Sequence, residues 1–192
     1  MAFAGAGIVA SQVCMQNYTV AMFVEQFRMP LVQAGWILTV AQVGGVCGRL
    51  FWGWYADRRR DALLVLAWLS ATLVFATVAI GTLVYGWPPA LVYALFFVLG
   101  ATASGWNGAF LGEVARAAPP GQVSPATGGA LFFVNVSSIA APIAFATVFS
   151  LSQSYSASFA LLVLPALAAL LCLRRARRLH PAGLRAADES AF

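Results

Sequence analysis

The sequence predicts an all-α polytopic membrane protein, a bundle of six transmembrane helices. Three observations lead there. Of 192 residues, 61% are hydrophobic and only 9% are charged, whereas a soluble domain carries about 25% charged residues. Six apolar runs reach the length, about 20 residues, that carries a helix across a bilayer. The arginines gather in alternate connections between those runs, the pattern that an oriented membrane protein shows.

The first run covers residues 2–24 and stops at the polar Glu25-Gln26-Phe27-Arg28. The second covers 32–56 and ends in the charged stretch from Asp57 to Asp61. The third, 62–85, is closed by Gly86-Trp87-Pro88-Pro89, which cannot continue a helix. The fourth covers 90–111, and a longer polar connection, GEVARAAPPGQVSP, follows at 112–125. The fifth covers 126–149 and the sixth 156–173. The remaining 174–192 read as a polar cytoplasmic tail without fixed structure. Pro142 and Pro165 fall inside the fifth and sixth runs, where each removes a backbone hydrogen bond and predicts a bend. Gly100, Ser104, Gly108 and Gly112 recur every four residues on the fourth helix, and Gly44 and Gly48 do so on the second. Such small-residue faces let helix backbones approach closely in lipid.

All 11 basic residues are arginine. Arg58, Arg59 and Arg60 lie between helices two and three, Arg116 between four and five, and Arg174, Arg175, Arg177, Arg178 and Arg185 after helix six. Six crossings put these regions on one side and leave only Arg28 on the other. The positive-inside rule then makes that side, and both termini, cytoplasmic. The net charge of +5 forms no basic stripe on a soluble face, so nucleic acid is not an expected partner. The lipid bilayer is.

Several chemistries find no support. Cys14, Cys47 and Cys172 stand alone inside apolar runs, without the spacing of a metal site or a disulfide framework. No cofactor motif is present, and no cleavable signal peptide is expected, since the first run has no basic flank. Six helices would suit an intramembrane serine protease. Ser104-Gly105 is preceded at position 102 by Thr rather than Gly, and the single histidine, His180, lies in the tail. Serine is a weak nucleophile without an adjacent base. The chain is therefore not expected to be an enzyme.

The stretch GGVCGRLFWGWYADRRRD, residues 44–61, carries the sharpest signal. Gly53-Trp54-Tyr55-Ala56-Asp57-Arg58 resembles the opening G-x-x-x-D-R of the loop that joins the second and third helices in each half of major facilitator superfamily transporters. It stands here between helices two and three, on the arginine-rich side. GWNGAFLGEVARAAPPGQVSPATGGALFF, residues 105–133, is similar to the fourth-to-fifth helix region of bacterial members. The family pattern continues x-G-R-[RK], whereas this chain has Arg59, Arg60 and Asp61. Second halves of such proteins carry degenerate copies, so the chain resembles a C-terminal six-helix half in a bacterial inner membrane. Complete members pair two such halves around the substrate. The resemblance implies a fragment or split-gene product whose partner is the missing N-terminal half or a second copy. A truncated or non-transporting membrane subunit is the alternative.

The resemblance also implies roles. Asp57 would cap a helix N-terminus of the other half, an anion near a positive helix end being stabilised by about 0.3–1 kcal/mol. Gly53 would permit the close approach, and Arg58 would complete the gating loop. Independently of it, Arg49 lies inside helix two, where a charge costs about 2.5–3.5 kcal/mol unless it snorkels or pairs. Asp57 and Glu113 are its expected partners, and Glu113 and Arg116, one turn apart, suit each other. For a small polar organic solute, uncharged amides near mid-depth are the candidates: Gln12, Gln16 and Asn17 on helix one, Gln42 on helix two, Asn107 on helix four, and Asn135 with Ser137 and Ser138 on helix five. Gln16 and Asn135 lead among these. No acidic or histidine side chain lies at mid-depth to relay a proton.

Overall fold

The computed structural model describes residues 2–59, 62–81 and 87–189; side chains at 57, 59, 62 and 177–189 lie outside what is described. The regular structure among the described residues is all helix, in eight segments: α1 (Ala2–Glu25), α2 (Leu31–Arg59), α3 (Ala62–Gly81), α4 (Pro89–Ser104), α5 (Trp106–Ala117), α6 (Val123–Ser152), α7 (Tyr155–Leu161) and α8 (Val163–Glu189). Helices suit an apolar solvent because each satisfies its own backbone hydrogen bonds. Hydroxyls follow the same rule. Thr19, Thr39, Thr72, Thr77 and Thr147 each donate to the carbonyl four residues back.

Among the described residues, five stretches are long and apolar enough to cross a membrane: Leu31–Ala56, Leu63–Ile80, Pro89–Ala117, Val123–Ser152 and Tyr155–Ala176. They correspond to the second to sixth expected helices. The first, α1, has 24 residues but is not among the five, because Gln12, Gln16 and Asn17 dilute its apolar character. Its position explains that composition. α1 packs against α6 and α8 and also touches α2, α3, α4 and α5, so it is the central helix of the bundle. Ile8, Cys14, Met15, Met22 and Phe23 are each at most 2% exposed.

Two expected helices are interrupted. The fourth divides into α4 and α5 at Gly105, and the sixth into α7 and α8 at Leu162. Pro165 has no N–H to offer the Leu161 carbonyl, and the chain answers with a tighter turn, Leu162 N–H donating to Phe159 O at 3.0 Å. Pro142 interrupts nothing: α6 is one helix of 30 residues. α8 also continues through the residues expected to form a loose tail, as far as Glu189. Ala, Leu and Arg dominate that stretch and are strong helix formers.

The small residues sort by this geometry. α2 and α4 form the closest pair in the bundle. A Cβ at Gly44, Gly48 or Gly100 would overlap the backbone of Phe97, Ala101 or Ala41 across the seam. Gly108 has no neighbour within 4 Å, and Gly112 meets only the Arg116 guanidinium at 3.8 Å. The break at Gly105 therefore divides the four-residue stripe: its α4 half packs on α2 and its α5 half is open.

α2 and α6 flank the bundle. α6 buries only Ala130, Val134 and Phe145, leaving Phe132, Val136, Ile139 and Ile143 exposed. α3 packs on α8 behind them.

Candidate functional site

The charged end of the bundle is built by the last turns of α2 and α5. Arg58 is exposed, with its guanidinium 5.6 Å from the centre of the Trp54 ring, a cation–π contact on one helix face. Gly53 has no atom within 4 Å of where a Cβ would stand. The Asp57 side chain lies outside the described residues. Glu113 is 6% exposed and accepts from Arg116 Nη1 at 3.2 Å. A carboxylate buried this deeply needs such a partner, and i,i+3 spacing on α5 supplies it. Arg49 does not join this pair. It is exposed on α2, and no ion pair reaches it among the described residues. The expected cytoplasmic network is thus brought together at Glu113 and Arg116, with Arg49 apart.

Deeper in the bundle, the polar side chains divide into two groups. Gln12 is 8% exposed and Ser104 only 1%. The Gln12 amide donates to Ser104 Oγ at 3.3 Å and accepts from Trp106 Nε1 at 3.0 Å. Ser104 and Trp106 flank the interruption at Gly105, so one amide from α1 holds both ends of the broken helix. The ring of Trp106 is itself 2% exposed and meets Phe110 edge-on at 5.2 Å. The second group faces outward: Asn17, Gln42 and Asn135 are exposed, and Gln16, Asn107 and Ser138 half-buried. Ser138 Oγ donates to the Asn135 carbonyl at 2.8 Å, and Ser137 Oγ donates to Ala6 O at 2.7 Å, tying α6 to α1.

Three contacts had no counterpart in the sequence reading. Tyr18 donates to the Pro142 carbonyl at 3.0 Å and stacks on Phe145, centroids 4.3 Å apart. Tyr155 donates to Glu25 at 2.7 Å, and the Gln26 amide to Ser156 at 3.3 Å. The last two clamp the end of α1 to the start of α7, on the side away from Arg58. Each joins residues more than 120 apart in the chain, so local pattern carries no trace of them. Open to the surface beside Tyr18 is a groove of ≈ 440 Å³ lined by Pro142, Ile143, Ala146, Thr147 and Ser150. A second pocket, ≈ 290 Å³, lies between α1, α6 and the α7–α8 break, with Ala10, Ser137, Phe145 and Pro165 among its walls. No group of three metal-ligating side chains occurs among the described residues.

Comparison with known proteins gives one match. The model of the Major Facilitator Superfamily aligns with residues 2–191, nearly the whole chain. No curated protein and no solved structure matches it.

Proposed function

This chain belongs to the Major Facilitator Superfamily, a family of membrane transporters, and on that premise we propose that it is one six-helix half of a secondary transporter for a small polar organic solute. α1 is the sixth crossing in this reading, with Gln12 enclosed by the helices around it and Gln16 and Asn17 turned towards the solute path. The solute is carried by alternating access, with this bundle rocking against its missing N-terminal half or a second copy. The chain works as the C-terminal half in a bacterial inner membrane, with both termini in the cytoplasm. The arginine distribution supports that orientation.

One observation carries the reading. Asn17, Gln42 and Asn135 are exposed on three different membrane-length helices, and Gln16, Asn107 and Ser138 are half-exposed. In hydrocarbon each unsatisfied amide is costly, so such side chains require either water and solute or a second protein surface. Those six residues supply hydrogen bonds to the solute, while Gln12, fully engaged inside the bundle, holds the helix break behind them. At the cytoplasmic end, Asp57 caps a helix of the partner half, Gly53 leaves room for it, and Arg58 flanks the contact. Glu113 and Arg116 belong to the same gate. The empty space beside Gly53 supports this arrangement.

Inner-membrane vesicles from the native cells, which also hold any partner half, test the proposal against vesicles from the same cells with the chain deleted, using a panel of radiolabelled amino acids, sugars and organic acids. Chain-dependent, saturable uptake of one class is the expected result. Equal uptake by both preparations across the panel would overturn the transport reading.

A further inference from the structure

Arg49 stands seven residues inside Ala56, where the apolar stretch of α2 ends, which is about 10 Å along the helix axis. At that depth a guanidinium without a counter-charge is expensive. Yet Arg49 is exposed, and no carboxylate pairs with it among the described residues. Its surroundings on α2 say which way it faces. Val32, Trp36, Val43, Leu50 and Trp54 recur at spacings of four and seven, and each is more than half exposed. They form an aromatic and aliphatic stripe that suits lipid. Gln42, Arg49 and Gly53 recur at the same spacings on a separate stripe, about 100° around the helix from the first. Gln42 is exposed like Arg49, and nothing lies within 4 Å of Gly53. The buried seam of Ala41, Gly44 and Gly48 occupies a third face, against α4. The charge therefore projects neither into the bundle nor along the lipid stripe.

From this arrangement we infer that the transported solute is an anion, a small carboxylate or phosphate ester held by Arg49 and hydrogen-bonded by Gln42; the inference rests on the transport reading above and narrows it. A guanidinium fork matches the two oxygens of a carboxylate or phosphate. An exposed amide two turns away adds neutral donors and an acceptor for the rest of a small polar molecule. A lipid phosphate offers the same chemistry as the solute, so the test separates the two.

The purified chain is placed in nanodiscs of neutral phosphatidylcholine, and its thermal unfolding is followed with added succinate, citrate or inorganic phosphate, and with glucose or glycerol as neutral probes. At least one anion is expected to raise the midpoint saturably, and the neutral probes to leave it unchanged. Arg49→Gln should weaken the apparent affinity by about ten- to a hundredfold, and Arg49→Lys by less, because the charge remains while the fork is lost. The lysine variant also serves if the glutamine variant fails to fold. Anion stabilisation unchanged in Arg49→Gln, or none by any of the anions, overturns the inference. So does an Arg49-dependent rise seen only when phosphatidylglycerol is added, which assigns the site to lipid. Uptake of a neutral solute at wild-type rates in vesicles carrying Arg49→Gln would overturn it too, while leaving the transport reading intact.

Discussion

Replacing Gly100 by alanine tests the α2–α4 seam. The new methyl would overlap the carbonyl oxygen and carbon of Ala41 and press on its Cα. All three are backbone atoms, so no side chain can turn aside, and the two helices must separate by about 1.5 Å to restore van der Waals contact. Forcing extra volume into a packed interface costs about 1–3 kcal/mol, and a rigid obstacle belongs at the upper end. Against that, alanine gains about 1 kcal/mol of intrinsic helix propensity over glycine. The net expectation is a loss of about 2 kcal/mol. Gly108→Ala is the control. It has the same change in propensity and no neighbour within 4 Å, so it should be neutral or stabilising by up to about 1 kcal/mol. The two variants should differ by about 3 kcal/mol, roughly a hundredfold in the unfolding equilibrium constant. Titration of the purified chain from mild micelles into dodecyl sulfate, followed by helical circular dichroism, measures it. Equal midpoints for the two variants would refute the assignment of Gly100 to a closed seam and of Gly108 to open space.

Gln12→Leu should destabilise the chain by about 1–2 kcal/mol in the same titration, because Trp106 Nε1 and Ser104 Oγ lose their partner inside the bundle; an unchanged midpoint would remove Gln12 as the holder of the break. Tyr155→Phe should leave the α2–α4 seam intact and increase proteolysis between α1 and α2, since the 2.7 Å bond to Glu25 is lost; protease resistance equal to wild type would count against the clamp. Asp57→Asn should lower solute uptake in vesicles without reducing membrane insertion, and wild-type uptake would end its gating role. A cysteine placed at position 59, in a chain freed of Cys14, Cys47 and Cys172, should react with impermeant maleimide only from the cytoplasmic side. Labelling from the opposite side would invert the topology.

The existence and rough limits of α2, α3 and α6 were legible in the sequence because lipid demands long apolar helices and little else resembles them. The two interruptions were less so. Pro165 announced a bend, but the irregular turn falls at Leu162, since the proline disturbs the carbonyl upstream of it rather than its own position. Gly105 gave no warning. It sits among Gly100, Gly108 and Gly112, and what distinguishes it is the pair of bonds from Gln12, more than 90 residues earlier. The same long-range origin explains why Gln12, Gln16 and Asn17 read alike in sequence and part in the structure: one is enclosed by α4 and α5, and Asn17 is exposed. Arg49 was recognisable as a costly charge, yet its lack of a partner emerged only when Glu113 was found occupied by Arg116.

The interruption at Gly105 has a mechanical side. Above it the helix is fastened to α2 by backbone contacts too close for any methyl group; below it Gly108 and Gly112 face open space. The chain has in effect an elbow whose two arms are held on different sides, α4 by the α2 seam and α5 by Trp106, Ala109, Phe110 and Val114, which are buried in the bundle. The glycine face beyond the joint is left clear, so a neighbouring surface meets the arm that carries Glu113 and Arg116 without unpacking the α2–α4 seam.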